Sequence, residues 1–290
     1  MNRSQLTTAL LSTTILTTSL FTTGCDQPAK DIAQAEAAQE KPQASLPLAI
    51  SENKHRSANN QARDQYRNPQ ATLEFFEVQP NSTVVEIWPG GGWYTEVLAP
   101  LLPEGKLIAA HWGDDSEVGF FRRSFANYKA KLAQSPKVYS NVELSRLEPP
   151  KYTQMADDNV ADVVLTFRNV HNWMRNQQEW KVFESAFNAL KPGGILGVVE
   201  HRAPESFSIQ QMIDSGYVSE SYVKQLAEKA GFEFVEASEI NANAKDTKDH
   251  PKGVWTLPPS LRLGEQDKEK YLSIGESDRM TLKFRKPLSS

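Results

Sequence analysis

The chain has 290 residues, 39% of them hydrophobic, and a formal net charge of −4 at pH 7. A mildly acidic chain without a Lys/Arg tract offers no electrostatic footprint for nucleic acid or for an anionic membrane face, so we expect neither as a partner. The sequence contains one cysteine, which excludes an internal disulfide framework.

Residues 1–24 are predicted to be a lipoprotein signal peptide. Arg3 precedes an uncharged stretch, 6–23, which ends in Thr23-Gly24-Cys25. This ending resembles a bacterial lipobox, although Thr22 stands where leucine is usual. The resemblance implies acylation of Cys25, export, and lipid anchoring on the periplasmic side of a bacterial membrane, with no other membrane contact. A transmembrane anchor or a buried helix is the alternative, which the many threonines disfavour because a spanning helix needs about 20 strongly apolar residues.

The rest of the chain divides by composition into a tether and a folded body. Residues 25–50 are rich in Gln, Ala, Lys, Glu and Pro and nearly lack large apolar side chains, which predicts a flexible tether. Residues 51–290, about 240 in number, suit one α/β domain of the larger sort.

Strand and helix patterns alternate along the body, which predicts a parallel sheet with crossover helices. In chain order the predicted strands are 83–88, 106–111, 160–167, 195–200, 232–237 and 280–285. The predicted helices between them are 93–102, 118–133, 180–190 and 221–230.

The run from Val84 to Thr95 is the most informative part of the body. A β-branched strand ends in Pro89 and the glycines 90–92, and a helix pattern follows at once. Such a turn lets backbone approach a ligand closely and presents free N–H groups at the carboxyl end of the strand. Taken alone, the motif fits a tight connection without a ligand equally well.

Four motifs in order resemble class I S-adenosylmethionine-dependent methyltransferases. Glu86, Gly90 and Gly92 match the acidic-x-Gly-x-Gly-x-Gly pattern of that family, with Trp88 at the first glycine. The other three motifs are 157–165, 168–173 and 190–196, and the resemblance covers about 60–286. It implies a Rossmann-like, doubly wound, mostly parallel seven-stranded sheet with an antiparallel C-terminal strand. Within the family the chain is most similar to an exported subgroup of predicted methyltransferases.

The resemblance further implies S-adenosyl-L-methionine as cofactor and methyl transfer to a small-molecule or lipid-like substrate. The residues that it assigns to the cofactor are Glu86, Gly90, Gly91, Gly92 and His111. His111 stands where the family has an acidic residue that grips the ribose hydroxyls, and a neutral imidazole cannot accept from two hydroxyls as a carboxylate can. Asp114 or Asp115 is the alternative at that position, and Glu143 is a candidate near the adenine.

The segment after the fourth strand, 168–173, should emerge beside the glycine turn, because ligands of open α/β sheets bind at the carboxyl ends of the strands. The candidate substrate residues are Tyr94, Arg168, Asn169 and Trp173. His171 is the candidate catalytic base, since imidazole titrates near neutral pH. A histidine that only braces its loop is the favoured alternative, and for Trp173 ordinary core packing is favoured.

Three further features bear on the site. Arg67, before the first strand, is a candidate to bind an acidic substrate group, and a solvated helix face with a salt bridge explains it equally well. The irregular segment 246–264 is a candidate cover for the site. The five histidines share no short metal-ligand spacing, so no metal is predicted.

Two other functions compete with methyl transfer. A binding or scaffolding protein that keeps the fold is favoured by His111 at the ribose position and by export away from the cytosol, where the cofactor is made. A nicotinamide-dependent oxidoreductase fits the sequence less well, because Trp93-Tyr94-Thr95 follows the glycines and the later motifs match methyltransferases.

Overall fold

The computed structural model describes residues 55–288. The predicted signal peptide, Cys25 and the tether 25–50 therefore lie outside the described residues. Within residues 55–288, no helix is both long enough and apolar enough to span a bilayer.

Eight strands and ten helices are found in the described residues. The strands are β1 Thr83–Ile87, β2 Lys106–His111, β3 Val142–Arg146, β4 Ala161–Phe167, β5 Leu190–His201, β6 Glu233–Ser238, β7 Pro251–Val254 and β8 Arg279–Arg285. The helices are α1 Ala58–Gln61, α2 Asp64–Arg67, α3 Pro69–Phe75, α4 Thr95–Leu101, α5 Gly119–Gln134, α6 Val170–Met174, α7 Glu179–Ala189, α8 Ile209–Ser215, α9 Glu220–Lys229 and α10 Lys268–Ile274.

Seven strands form one sheet in the order β3-β2-β1-β4-β5-β8-β6. The five strands from β3 to β5 are parallel, and β8 runs antiparallel between β5 and β6. This confirms the predicted doubly wound sheet with an antiparallel C-terminal strand. The strand order reverses between β1 and β4, and a ligand crevice is expected outside the carboxyl ends of the strands at such a switch point.

Helices cover both faces of the sheet. Alternate side chains along each central strand point to opposite faces, so each strand contributes to two apolar cores. On β1, Val84 belongs to the core that contains Leu73 and Leu98. Its neighbour Val85 belongs to the opposite core, with Val182 and the aromatic side chains described below. Strands buried on both faces carry the continuous apolar runs that made them recognisable in the sequence.

The sequence missed elements whose burial pattern is weak. Strand β3 lies at the sheet edge, and none of its residues is fully buried, so its sequence lacks an apolar pattern. The N-terminal helices α1 and α2 have four residues each, which is too short for helical periodicity. Leu190 was predicted to be the last residue of a helix. In the structure α7 ends at Ala189, and Leu190 is the first residue of β5.

Candidate active site

A cavity of about 350 Å³ opens at the carboxyl ends of β1, β4 and β5. Its lining comes from the glycine turn after β1, the segment after β4, the N-terminal helices and the loop that follows β7. This is the crevice that the switch point predicts, and a space of this size holds a small molecule.

The three glycines of the turn have different roles. Gly90 and Gly92 have φ values of +59° and +74°, a conformation that favours glycine. A Cβ added at Gly92 would lie 2.9 Å from Cε2 of Tyr128, so Gly92 serves packing and does not line the cavity. Gly91 lines the cavity and has no positive φ, and an added Cβ would meet no atom within 4 Å. An added Cβ at Gly90, which also lines the cavity, would likewise meet no atom within 4 Å, so the open space above the turn lies over Gly90 and Gly91.

Glu86 places a buried carboxyl beside this turn. It is 2% exposed, lines the cavity and accepts a hydrogen bond from Thr95 Oγ1 at 2.6 Å. Burial raises the pKa of Glu86 to about 7, against the opposing effects of the Thr95 hydrogen bond and the charge of Lys131. This carboxyl can therefore exchange a proton near neutral pH.

Trp88 replaces the first glycine of the motif and keeps a glycine-like backbone, with φ of +47°. Its Nε1 donates to the carbonyl of Leu147 at 2.8 Å, and its ring contacts Trp112 at a centroid distance of 5.1 Å. Phe121 lies parallel on Trp112, with ring centroids 4.3 Å apart. These rings, which we call the aromatic cluster, fill the space behind the turn.

Trp173, a candidate substrate residue for which core packing was favoured, belongs to this core. Its side chain is 1% exposed and meets the ring of Trp88 edge-on at 5.8 Å. It does not line the cavity. The apolar face of a short helix, α6, turns it inward, so packing explains this residue.

His111 also lies outside the cavity lining, which corrects its predicted place at the cofactor pocket. Its Nδ1 accepts from the backbone N–H of Trp112 at 2.8 Å, so Nε2 carries the proton and donates to the carbonyl of Gly90 at 3.2 Å. Burial lowers the pKa of His111 to about 4. This imidazole ties the glycine turn to the end of β2 and leaves no ring nitrogen for a ligand.

The proposed substitutes for His111 do not reach the cavity either. Asp114 pairs with Lys129 at 2.6 Å, and Asp115 pairs with Arg146 at 2.6 Å. Glu143 pairs with Lys106 on the edge of the sheet, at 2.9 Å. None of these three carboxylates therefore lines the cavity.

The segment after β4 lies in the cavity, as predicted. Asn169 and His171 share its lining with Gly90 and Gly91, which confirms that they face the glycine turn. Asn169 Nδ2 donates to the carbonyl of Ile87 at 2.9 Å, so this amide fixes the segment to the end of β1.

Glu200, at the end of β5, orients His171. It is fully buried, and its Oε1 lies 3.1 Å from Nδ1 of His171. The same carboxylate accepts from the backbone N–H of His201 at 2.8 Å and of His171 at 3.3 Å. With Nδ1 held by Glu200, Nε2 of His171 is left for the cavity. In the sequence, Glu200 has no signal of its own, because it stands at the end of a buried strand pattern.

His171, Glu200 and His201 are also the group of described residues most able to hold a metal ion, with donor atoms within 4.8 Å of one another. The carboxylate already accepts three hydrogen bonds, and His201 Nδ1 is hydrogen-bonded to Ser277 Oγ at 2.5 Å. This geometry suits an orienting carboxylate, and the absence of a metal stays a prediction.

The two other predicted substrate residues line the cavity. Tyr94 stacks on Phe167 with ring centroids 3.4 Å apart and donates from its hydroxyl to the carbonyl of Arg67 at 3.2 Å. Burial raises the pKa of Tyr94 to about 12, so it acts as a neutral donor. Arg168 has φ of +62°, and burial lowers its pKa to about 10.

Arg67 is not on a solvated helix face. It is 2% exposed, lines the cavity and is paired with Glu276, whose carboxylate lies 3.3 Å from Nε. The partners are 209 residues apart, which no local sequence pattern reveals. Arg279, on β8, also pairs with Glu276 and lines the cavity. It was not among the residues predicted for the site.

The segment 246–264 covers the site, as predicted. Val254, Trp255 and Ser260 line the cavity, although four residues of the segment form β7. Asp246 holds the base of the segment, because it accepts from the hydroxyl of Tyr217 at 3.0 Å.

Comparison with known proteins identifies the fold. No protein-family model matches the sequence, and no curated protein matches it. Among solved structures, an S-adenosylmethionine-dependent methyltransferase from Aquifex aeolicus is similar to this chain. The alignment covers 78% of this chain and 93% of the methyltransferase, with a TM-score of 0.52 and 17% sequence identity. The chain has the class I methyltransferase fold.

Two further structures show the range of proteins that share this fold. The alignment with the [4+2]-cyclase SpnF covers 82% of this chain and 86% of SpnF, with a TM-score of 0.53 and 19% sequence identity. The other structure is phosphoethanolamine N-methyltransferase 2 of Haemonchus contortus, solved with S-adenosyl-L-methionine. The alignment covers 77% of this chain and 53% of that protein, with a TM-score of 0.51 and 14% sequence identity. Because one fold carries different chemistries, the function must be argued from the site.

Proposed function

We propose that the chain is an S-adenosylmethionine-dependent methyltransferase that acts on a small-molecule or lipid-like substrate. One observation carries this proposal: the open turn at Gly91, the carboxyl of Glu86 and the Glu200-bound ring of His171 meet in one cavity. The class I methyltransferase fold places that cavity at the switch point of the sheet.

The residues around the turn fit the polar end of the cofactor. Glu86 offers a carboxyl to an amino group, and the backbone of Gly90 and Gly91 is open to close approach. When bound, S-adenosyl-L-methionine would supply an electrophilic methyl group on its sulfonium.

The chain itself would then position the acceptor and remove its proton. Glu200 holds Nδ1 of His171, so Nε2 is the basic nitrogen presented to the cavity. A buried carboxylate on one nitrogen stabilises the protonated ring that forms when the other nitrogen takes a proton. Asn169 keeps this segment against β1.

A binding protein that keeps the fold is the second candidate, and a specific observation favours it. Both ring nitrogens of His111 are hydrogen-bonded within the protein, and the aromatic cluster fills the space behind the turn. No carboxylate at the end of β2 therefore lines the cavity to bind the ribose hydroxyls of a nucleoside.

Calorimetric titration with S-adenosylmethionine and with its demethylated product separates the two candidates. Saturable binding of both, with formation of the demethylated product when a methyl acceptor is added, supports the methyltransferase. Absence of binding to either ligand leaves the binding protein.

We also propose that the protein is exported and anchored by a lipid on Cys25. The uncharged run that ends in Thr23-Gly24-Cys25 supports this proposal.

A further inference from the structure

Four arginines line one side of the cavity, and together they form what we call the arginine cluster. They are Arg63, Arg67, Arg168 and Arg279. They come from the N-terminal helices, from the segment after β4 and from β8, so the fold collects them from distant parts of the chain.

One carboxylate serves three of these guanidinium groups. Glu276 lies 2.5 Å from Nε of Arg63 and 3.3 Å from Nε of Arg67, and it also pairs with Arg279. Burial opposes ionisation of Glu276, but the arginines outweigh burial and hold the pKa of its carboxyl well below its usual range. Arg168 forms no ion pair with any residue in 55–288. Four positive charges therefore face one negative charge.

Several nitrogens of the cluster are buried without a hydrogen-bond partner in the described part of the chain. These nitrogens are Nη2 of Arg63, Nη1 and Nη2 of Arg67, and Nε of Arg279. The ring of Trp93, 4.5 Å from Cζ of Arg67, compensates only part of this cost. Burial and the charge of Arg168 lower the pKa of Arg67, which reflects the same excess of positive charge. Buried donors without partners are costly and indicate an anion that completes the site.

The cofactor of the proposed function adds no net negative charge. S-adenosylmethionine carries one carboxylate, one ammonium and one sulfonium, so it is cationic overall. Glu86, the carboxyl that lines the cavity, titrates near neutral pH and removes one charge at most. The net negative charge that would balance the arginines is therefore assigned to the second ligand of the cavity.

We infer that the acceptor substrate carries a dianionic oxyanion group, a phosphate monoester or a pair of carboxylates, which binds Arg67, Arg168 and Arg279. Arginine suits this role because its planar fork pairs with oxyanions through two hydrogen bonds at once. This inference rests on the proposed function, since it assigns the anion to the acceptor.

The test measures the thermal unfolding midpoint of the full-length protein with inorganic phosphate or malonate, against sodium chloride at equal ionic strength. A ligand that binds only the folded state raises the midpoint in a saturable way. We expect phosphate or malonate to do so well beyond sodium chloride, and the more effective anion identifies the oxyanion. If neither exceeds sodium chloride, the inference is wrong.

Arg168→Gln is the informative variant, because its removal leaves Glu276 with its three partners. We expect the apparent affinity for the anion to fall by at least tenfold, which is about 1.4 kcal/mol. Arg123→Gln removes the same charge from an exposed position on α5 and should leave the affinity unchanged. Equal affinities of the two variants would overturn the inference.

Titration of the anion with and without the saturating demethylated product separates this inference from the proposed function. Retained anion affinity supports an acceptor site. Competition between the two ligands means that the arginines hold the cofactor's carboxylate, which overturns the inference and leaves the proposed function intact. Anion binding by a protein that binds neither form of the cofactor overturns the methyltransferase proposal and, with it, the assignment of the anion to a methyl acceptor.

Discussion

Oε1 of Glu200 lies 3.1 Å from Nδ1 of His171, and both side chains are buried. This pairing sets which nitrogen faces the cavity. It also joins the end of β5 to the first turn of α6, and so couples the orientation of the ring to the two strands that border the site.

His171→Ala is expected to lower turnover by about 10²-fold while cofactor affinity stays nearly unchanged, because it removes the proposed base and no cofactor contact. Turnover is measured as formation of the demethylated cofactor at saturating S-adenosylmethionine. Added imidazole should restore part of the lost rate. A variant that loses thermal stability, binding and turnover together, without rescue, would show that His171 only braces its loop.

Glu86→Gln tests the buried carboxyl. The pKa of about 7 in the folded protein lies above the usual value of 4.5 for a glutamate carboxyl. The stability that protonated Glu86 provides is therefore fully present below pH 4.5 and is lost as the pH rises through 7. Urea unfolding at pH 5 and pH 8 should show the variant gaining stability relative to wild type at the higher pH, by up to about 3 kcal/mol. A stability difference that does not change with pH would contradict the raised pKa.

The pKa of His111, lowered to about 4 by burial, predicts that its ring stays neutral at pH 5.5. Nitrogen chemical shifts in an NMR titration should show the proton on Nε2, where it donates to Gly90. The stability that this neutral ring provides is present above pH 6.5 and is lost as pH falls towards 4. A ring that gains its second proton near pH 6.5 would show that His111 is open to solvent.

Cys25→Ser tests the lipid anchor. The variant should leave the membrane fraction and appear in the soluble fraction after cell fractionation, because serine cannot be acylated through a thiol. A variant that remains in the membrane fraction would rule out anchoring through Cys25.

The parallel sheet could be predicted because its central strands are buried on both faces. The β1 turn, with Glu86 and the glycines, was recognisable for the same reason, since a strongly apolar strand ends in residues with special backbone freedom. The position of Asn169 and His171 followed from topology, because parallel strands bring their carboxyl ends to one edge of the sheet.

The charged part of the site could not be predicted, because its partners are far apart in the chain. Arg67 and Glu276 are 209 residues apart, and Glu200 lies within an apolar strand. His111 and Trp173 stand at family positions, but hydrogen bonding with Gly90 and core packing hold them out of the cavity. Sequence position gives the end of an element and does not give the direction of a side chain.

The most direct test of the central claim is a calorimetric titration of wild type and Gly91→Val with the demethylated cofactor. A Cβ at Gly91 meets no protein atom within 4 Å, so valine there fills only the proposed ligand space. The control variant is Gly119→Val, because Gly119 lies at the start of α5 and outside the cavity lining. Wild type and Gly119→Val should bind with equal affinity, and Gly91→Val should bind at least tenfold more weakly, about 1.4 kcal/mol, with an unchanged unfolding midpoint. Equal binding by folded Gly91→Val, or no binding by wild type, would contradict a cofactor site at this turn.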